Sequence, residues 1–271
     1  MPVVGTNTAA NSAIYYLNQN SSAQEKSLAY LSSGSKIVSA SDDASGLAVS
    51  TQLASDISVL EQGAVNAQQG QSVLNVADGA LSNIGDILQR MKSLAAQSMS
   101  GSVSDGSRAY IDAEFAELVG EIDAIVASTR FDGALLIDSS YDQSFLVGTD
   151  AASDTIQVDL TSVTIDAAID LADGVDTAAN AVTSSGNIDT MIDSISTARS
   201  LVGAYQSRME FRFDVIETAI DNLTAARSTI VDTDIAEEQS NYTTSQVMTQ
   251  VATAALAQAN NMKTSLLSLV Q

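Results

Sequence analysis

Apolar residues recur at alternating steps of three and four over unusually long stretches of this chain, and that spacing marks one face of an α-helix. The longest run is Ile188, Ile192, Ile195, Arg199, Val202, Gln206, Met209, Phe213, Ile216, Ile220, Leu223, Arg227 and Ile230. Polar side chains interrupt it only at Arg199, Gln206 and Arg227. A helix of that length covers roughly 65 Å, several times an average globular helix, so it belongs to a rod or a bundle. Val73, Ala77, Ala80, Ile84, Ile87, Met91 and Leu94 form a second face, extended upstream by Leu53, Ile57, Leu60, Ala64 and Ala67. A shorter third helix carries Ile111, Phe115, Leu118, Ile122 and Ile125. The predicted helices span 41–100, 105–129 and 187–231.

Both ends of the chain repeat the pattern with smaller side chains. Ile14, Leu17, Leu28 and Leu31 fall on heptad steps, with Ser21 and Gln24 leaving the seam incomplete. Met248, Ala252, Ala255, Ala259, Met262, Leu266 and Leu269 keep the four-three alternation at the other end. These are coiled-coil strands with thin seams. Neither end alone buries enough apolar surface to offset its ordering entropy, so each is expected to stay disordered until it finds a partner. Helix starts are signalled by Asp234 with Glu237 and by the cluster Ser41, Asp42, Asp43.

Between the helices the pattern changes. Phe131-Asp132-Gly133 is a turn signal, followed by ALLI from Ala134, FLVG from Phe145 and TIQVDL from Thr155. A small β-hairpin region is expected at about 131–165. The 68 residues between Arg130 and Arg199 hold 12 Asp and no Lys or Arg, so this segment faces solvent. The expected fold class is mainly α: a long-helix coiled-coil and bundle rod with a small β-hairpin region. Its expected domains are a discontinuous terminal helical domain, 1–40 plus 232–271, and a helical bundle domain, 41–231, whose acidic outer segment runs to about 186.

Composition removes whole chemistries. The chain of 271 residues has no Cys, His or Trp, which excludes zinc fingers, thiol nucleophiles, Ser-His-Asp triads and imidazole shuttles. Carboxylates remain, but Asp166, Asp170, Asp173 and Asp176 lack the alternate ligand positions, central Gly and closing Glu of a calcium loop. With no paired-carboxylate cleft and no phosphate-binding Gly pattern at Gly79 and Gly85, no catalytic, cofactor or metal site is expected and the chain does not read as an enzyme. A formal net charge of −22 opposes binding to nucleic acid and to anionic membranes. The first twenty residues have neither the basic nor the apolar region of a Sec signal, so export is expected by another route. Hydroxyls crowd the segment 139–185, where Ser139, Ser140, Ser144, Thr183 and Ser184 are candidates for O-glycosylation, against the plainer reading of polar loop surface.

LSSGSKIVSASDDASGLAVS, from Leu31 to Ser50, resembles the N-terminal signature of bacterial flagellin. Agreement continues through NAQQGQSVLNVADGALSNIGDILQRMKSLAAQS from Asn66, EIDAIVASTRFDGALLI from Glu121 and FLVG…TIQVDL in the strand region. Near the C-terminus NLTAARSTIVDTDIAEEQSNYTTSQVMTQVATAALAQAN from Asn222 and the final LLSLV match as well. Departures are local: Ser41, Thr229 and Val231 replace charged residues usual in the family, and the Pro expected beyond Asn260 is missing. No variable outer domain follows the hairpin, so the chain resembles a minimal flagellin.

The resemblance implies a structural subunit that polymerises with its own copies into the flagellar filament for swimming, the terminal helices carrying assembly. It also implies an extracellular flagellar location reached through the flagellar type III pathway, and an export chaperone docking on 234–271. Hook-associated junction and cap proteins would be further partners. Gln89, Arg90, Leu94 and Glu114 match positions at which flagellins contact the flagellin-sensing Toll-like receptor, although Ser93 replaces an acidic residue there and Leu94 also lies on a core seam. Alternative readings are a hook–filament junction protein of the same superfamily, or a surface adhesin or acidic-glycan-binding protein.

Overall fold

The computed structural model describes residues 6–268 except 162, 164, 166–170 and 172. Their elements run α1 (Thr8–Ser33), α2 (Ala44–Met99), α3 (Asp105–Ser128), β1 (Arg130–Phe131), β2 (Ala134–Leu135), β3 (Asp142–Leu146), β4 (Thr155–Asp159), α4 (Ala178–Val231) and α5 (Ile235–Ser268). The mainly helical architecture with a small strand region is the one its periodicity predicts. Two compact units make up the chain: Met1–Ser55 with Asn222–Gln271, and Asp56–Asp221. The boundaries fall inside α2 and α4.

In the unit 56–221, the core of α2 is a strict heptad. Leu60, Ala67, Leu74, Leu81, Leu88 and Ala95 recur every seventh residue, and Gly63, Gly70, Ala77, Ile84, Met91 and Ser98 alternate with them; all are buried. Of this seam Leu60, Ala67, Ala77, Ile84 and Met91 belong to the face read from the sequence. Val73 and Leu94 are buried on its flank, while Ala80 and Ile87 are half-buried. The helix therefore buries a stripe wider than one coiled-coil seam, as expected when several elements pack on it. Both glycines in the seam mark close approach. A Cβ at Gly63 would lie 3.3 Å from the Val147 backbone, and one at Gly70 would lie 2.8 Å from Cε of Met209.

α4 returns antiparallel to α2 and buries Ala181, Ser184, Ile188, Met191, Ile195, Ala198, Val202, Met209 and Ile216. The polar interruptions of its sequence face are cross-helix ties: Arg199 Nε donates to Asp78 at 2.9 Å and Gln206 to Asn75 at 3.0 Å. The helix begins nine residues earlier than the predicted Asn187. Its extra turns are held by the Thr177 hydroxyl, which accepts from the Asn180 N–H at 3.1 Å, and by burial of Ala181 and Ser184. The acidic segment is shortened accordingly, since 178–186 is helix.

α3 contributes Ile111, Phe115 and Ile122 to the core. Its buried Arg108 closes the end of α2: Nε donates to the Ser98 carbonyl at 2.9 Å and Nη2 to that of Ser100 at 3.2 Å, while Nη1 pairs with Asp105 at 2.8 Å. Carbonyls at a helix C-terminus lack intrahelical donors, so a guanidinium fork is a natural cap.

The strand region is two separate antiparallel hairpins. β1 and β2 are joined by Asp132 and Gly133, at φ of 49° and 82°, the pair of left-handed residues that a two-residue hairpin turn favours. β2 stops at Leu135, so of the predicted ALLI strand Leu136 and Ile137 are buried core residues outside the ladder. In the second hairpin β3 begins at Asp142, before the predicted Phe145, and β4 alternates buried Ile156 and Val158 with exposed Thr155 and Gln157. The Asn66 amide of α2 donates to the Leu146 carbonyl at 2.9 Å, and Arg212 of α4 reaches Asp154 at 3.4 Å, fastening this hairpin to the helices.

In the other unit α1 and α5 pack along each other. Within one copy of the chain the two thin-seamed ends pair with one another.

Candidate assembly surface

α1 is started by Asn7, whose side chain accepts from the Ala10 N–H at 3.0 Å, and ended by Gly34 at φ 70°, which donates to Tyr30. α5 starts at the predicted Asp234, whose carboxylate accepts from the N–H groups of Ala236 at 2.8 Å and Glu237 at 3.2 Å. Two hydrogen bonds set their antiparallel register: Asn7 Nδ2 to the Ala259 carbonyl at 3.1 Å and Gln24 Nε2 to the Tyr242 hydroxyl at 3.4 Å. Along α1 Ala10, Ala13, Leu17, Asn20, Gln24, Ser27 and Leu31 are buried or half-buried at heptad steps, with Ser21, Ala29 and Tyr30 half-buried beside them; along α5 the less exposed residues are Glu238, Tyr242, Ser245, Thr249, Ala252, Leu256 and Ala259. Each set is a heptad seam of mostly small or polar side chains.

The apolar residues singled out from the sequence divide between two places. Leu17 and Leu31 are half-buried in the seam, and Ala252 and Ala259 are buried in it. Ile14, Leu28, Met248, Ala255 and Met262 stand outside it and are exposed, Ile14 at 43% and Met262 at 52%. The side chain of Leu266 and all of Leu269 lie outside the described residues, as do Asp166 and Asp170. Tyr15, Tyr16, Val247 and Val251 join the exposed set. Reading by large apolar residues missed Asn20, Ser27, Ser245 and Thr249, whose signal was spacing without hydrophobicity.

The loop between α1 and α2 is held by one carboxylate. Asp42 pairs with Lys26 at 3.0 Å and accepts from the Val38 and Ser39 N–H groups at 3.3 and 3.0 Å and from the Tyr30 hydroxyl at 3.2 Å. Lys26 first, then the Ser39 N–H, hold the Asp42 carboxyl far below the usual carboxylate range. The same contacts, from Tyr30 and Asp42, raise the Lys26 ammonium. Asp43 caps α2 through the Gly46 and Ser45 N–H groups, which pull its carboxyl down as well. Backbone bonds from Lys36 to Val231 at 2.8 Å and from Thr233 to Gly34 at 3.1 Å tie this loop to the one before α5.

Among the receptor-type residues, Gln89 and Arg90 are exposed and Arg90 is bonded to Glu114 at 2.5 Å. Leu94 is 2% exposed, a core residue with no surface to offer a partner in the folded unit. Among the hydroxyls, Ser184 is fully buried and donates to the Gly174 carbonyl at 2.6 Å, and Ser139 donates to that of Val163 at 2.8 Å. Ser140, Ser144 and Thr183 are not buried. No group of three acidic side chains among the described residues could hold a metal ion, and no helix among them is long and apolar enough to cross a membrane.

Residues 4–142 match the family model for the bacterial flagellin N-terminal helical region, and residues 185–270 match that for the bacterial flagellin C-terminal helical region. The chain is 36% identical over 261 residues to a flagellin of Halalkalibacterium halodurans, covering 94% of this chain and 93% of that one. It is 34% identical over 285 residues to the flagellar filament 33 kDa core protein of Treponema phagedenis, covering 99% and 100%. The crystal structure of Bacillus cereus flagellin superposes with a TM-score of 0.50 at 27% identity, over 60% of this chain and 94% of that one. With both family models matched and relatives covered over nearly their whole length, the chain belongs to the bacterial flagellins: it is a structural subunit that polymerises into the flagellar filament.

Proposed function

We propose that polymerisation is driven by the apolar residues that the α1–α5 pair leaves outside its own seam. Ile14, Leu28, Met248, Ala255 and Met262 then pack on the terminal helices of neighbouring copies, while Leu17, Leu31, Ala252 and Ala259 hold the pair together. The observation that carries this reading is their exposure: large apolar side chains lie on the flanks of a seam built from Ala, Ser, Asn, Gln and Thr. A heterologous contact that does not close on itself yields an open helical array. Because the internal seam is thin, the pair opens at small cost. That suits passage through the narrow flagellar type III pathway, and it exposes 234–271 to an export chaperone.

The subunit works in the extracellular filament between junction and cap proteins of the same system. Its outer hydroxyls Ser140, Ser144 and Thr183 are the accessible acceptors for O-glycans. A Toll-like receptor contact would rest on Gln89, Arg90 and Glu114 without Leu94. The test is salt-seeded polymerisation of purified monomer followed by electron microscopy. The double variant I14S/M248S is expected to melt like the parent in its unit 56–221 and to form no filaments. Filaments at parental yield would overturn the assignment.

A further inference from the structure

The fold treats the 7 Met residues of this chain in two ways. Met91 and Met209 are fully enclosed and Met191 is 4% exposed, all within the 56–221 unit. Met248 is 50% exposed and Met262 52%, both on α5. With Ala255 they recur every seventh residue, and Val251 stands exposed between them. Both thioethers therefore lie on one stripe of the helix, roughly 21 Å apart. Met99, at the end of α2, is half-buried, and Met1 lies outside the described residues. The chain has no Cys, so these thioethers are the side chains most open to a peroxide.

We propose that Met248 and Met262 are a reversible oxidation site that gates assembly. The proposal rests on the self-assembly reading and names a regulation of the surface assigned there. Hydrogen peroxide delivers one oxygen to the sulfur lone pair: the S–O bond forms as the O–O bond breaks, sulfur is oxidised to the sulfoxide, and the peroxide is reduced to water. A methionine sulfoxide reductase reverses the step with two thiols, which become a disulfide while the oxygen leaves as water. In the monomer both side chains meet water, so the sulfoxide stays solvated and costs the fold little. To pack on the apolar flank of a neighbouring copy it must shed that water without gaining a hydrogen-bond partner, which is unfavourable. Oxidation thus opposes the polymer and spares the 56–221 core, whose thioethers are enclosed. Conversely, a subunit already in the filament has these sulfurs covered and shielded from peroxide.

Purified monomer is treated with dilute hydrogen peroxide, quenched, mapped by peptide mass spectrometry and then seeded with untreated filament fragments. Met248 and Met262 are expected to oxidise at least tenfold faster than Met91, Met191 and Met209, and at least tenfold faster in monomer than in filament. Residual monomer is expected to rise severalfold after oxidation and to return to the untreated level once reductases for both sulfoxide epimers, supplied with dithiothreitol, have acted. Oxidised monomer that sediments like the untreated sample overturns the proposal, as does an assembly defect that outlasts removal of the sulfoxides. In M248L/M262L peroxide is expected to leave residual monomer where that variant's own untreated sample has it; a rise equal to the parent's assigns the effect to another residue and overturns the proposal. Should that variant not assemble, the reductase arm on the parent decides. Equal oxidation in monomer and filament shows both sulfurs uncovered in the polymer, and overturns the proposal together with their assignment as contacts. If untreated parent does not sediment, the self-assembly reading fails and takes this one with it. Untreated and oxidised parent that sediment alike sink this one alone.

Discussion

Arg108 and Gly174 hold together the end of the 56–221 unit where α2, α3 and α4 meet. Arg108 satisfies carbonyls that the last turn of α2 leaves open, and Gly174 sits at φ 62° beside the Asp112 carboxylate, which accepts from the Val175 N–H at 2.7 Å. Ser98 and Ser184 complete the node by donating to the Val175 and Gly174 carbonyls, each at 2.6 Å. Replacing Arg108 by Met strands two carbonyls and is expected to cost about 2–3 kcal/mol, read as a lower urea midpoint. Gly174→Ala forces a side chain into a left-handed conformation and into Asp112, with an expected loss of about 1–3 kcal/mol in the same measurement. Neither role was legible in the sequence. An Arg ten residues past Ser98 reads as a surface charge, and the carbonyls it caps, those of Ser98 and Ser100, lie outside its own helix.

At the scale of elements, the paired terminal helices and the Asp42 loop differ from the bundle in how much they bury. Amide exchange of the monomer is expected to be fast along α1 and α5 and slow at Leu74, Leu81 and Leu88 of α2, with the terminal helices gaining protection in filaments. The Asp42 clasp has a definite pH sign. Its folded-state carboxyl titrates below the unfolded one, so its contribution is complete above the unfolded value of about 3.9 and is lost as pH falls through the lower folded value. Asp42→Asn should therefore speed exchange of the Val38 and Ser39 amides at neutral pH; unchanged rates would show that the carboxylate does not hold the loop. Heptad spacing marked these helices, yet by favouring the larger side chains it mixed seam residues such as Leu17 and Leu31 with flank residues such as Ile14 and Leu28. Spacing states which residues share a face, and only the partner states which face is covered.

For the whole molecule the acidic charge sets the terms of assembly. Copies carrying −22 repel unless screened, so the elongation rate is expected to rise between 0.01 M and 0.15 M salt, as the screening length falls from about 30 Å to about 8 Å. A rate independent of salt, measured by light scattering from fixed seeds, would contradict this. Deleting 232–271 is expected to abolish filaments while the 56–221 unit keeps its cooperative melt. Loss of that melt would mean that the terminal helices stabilise the bundle.

The sequence by itself determined the helical class, the helix starts at the Ser41–Asp43 cluster and at Asp234, the Asp132-Gly133 turn and the absence of imidazole and thiol chemistry, because periodicity, turn residues and composition act locally. Tertiary structure alone decided that Leu74, Leu81 and Leu88 of α2 are buried as fully as Ala77, Ile84 and Met91, that Leu94 and Ser184 are buried, and that Ile14, Met248 and Phe211 are exposed. The physical reason is that burial belongs to pairs of surfaces. An apolar residue on a helix face is core or interface according to what packs on it, and that is settled only when the distant parts of the chain are brought together.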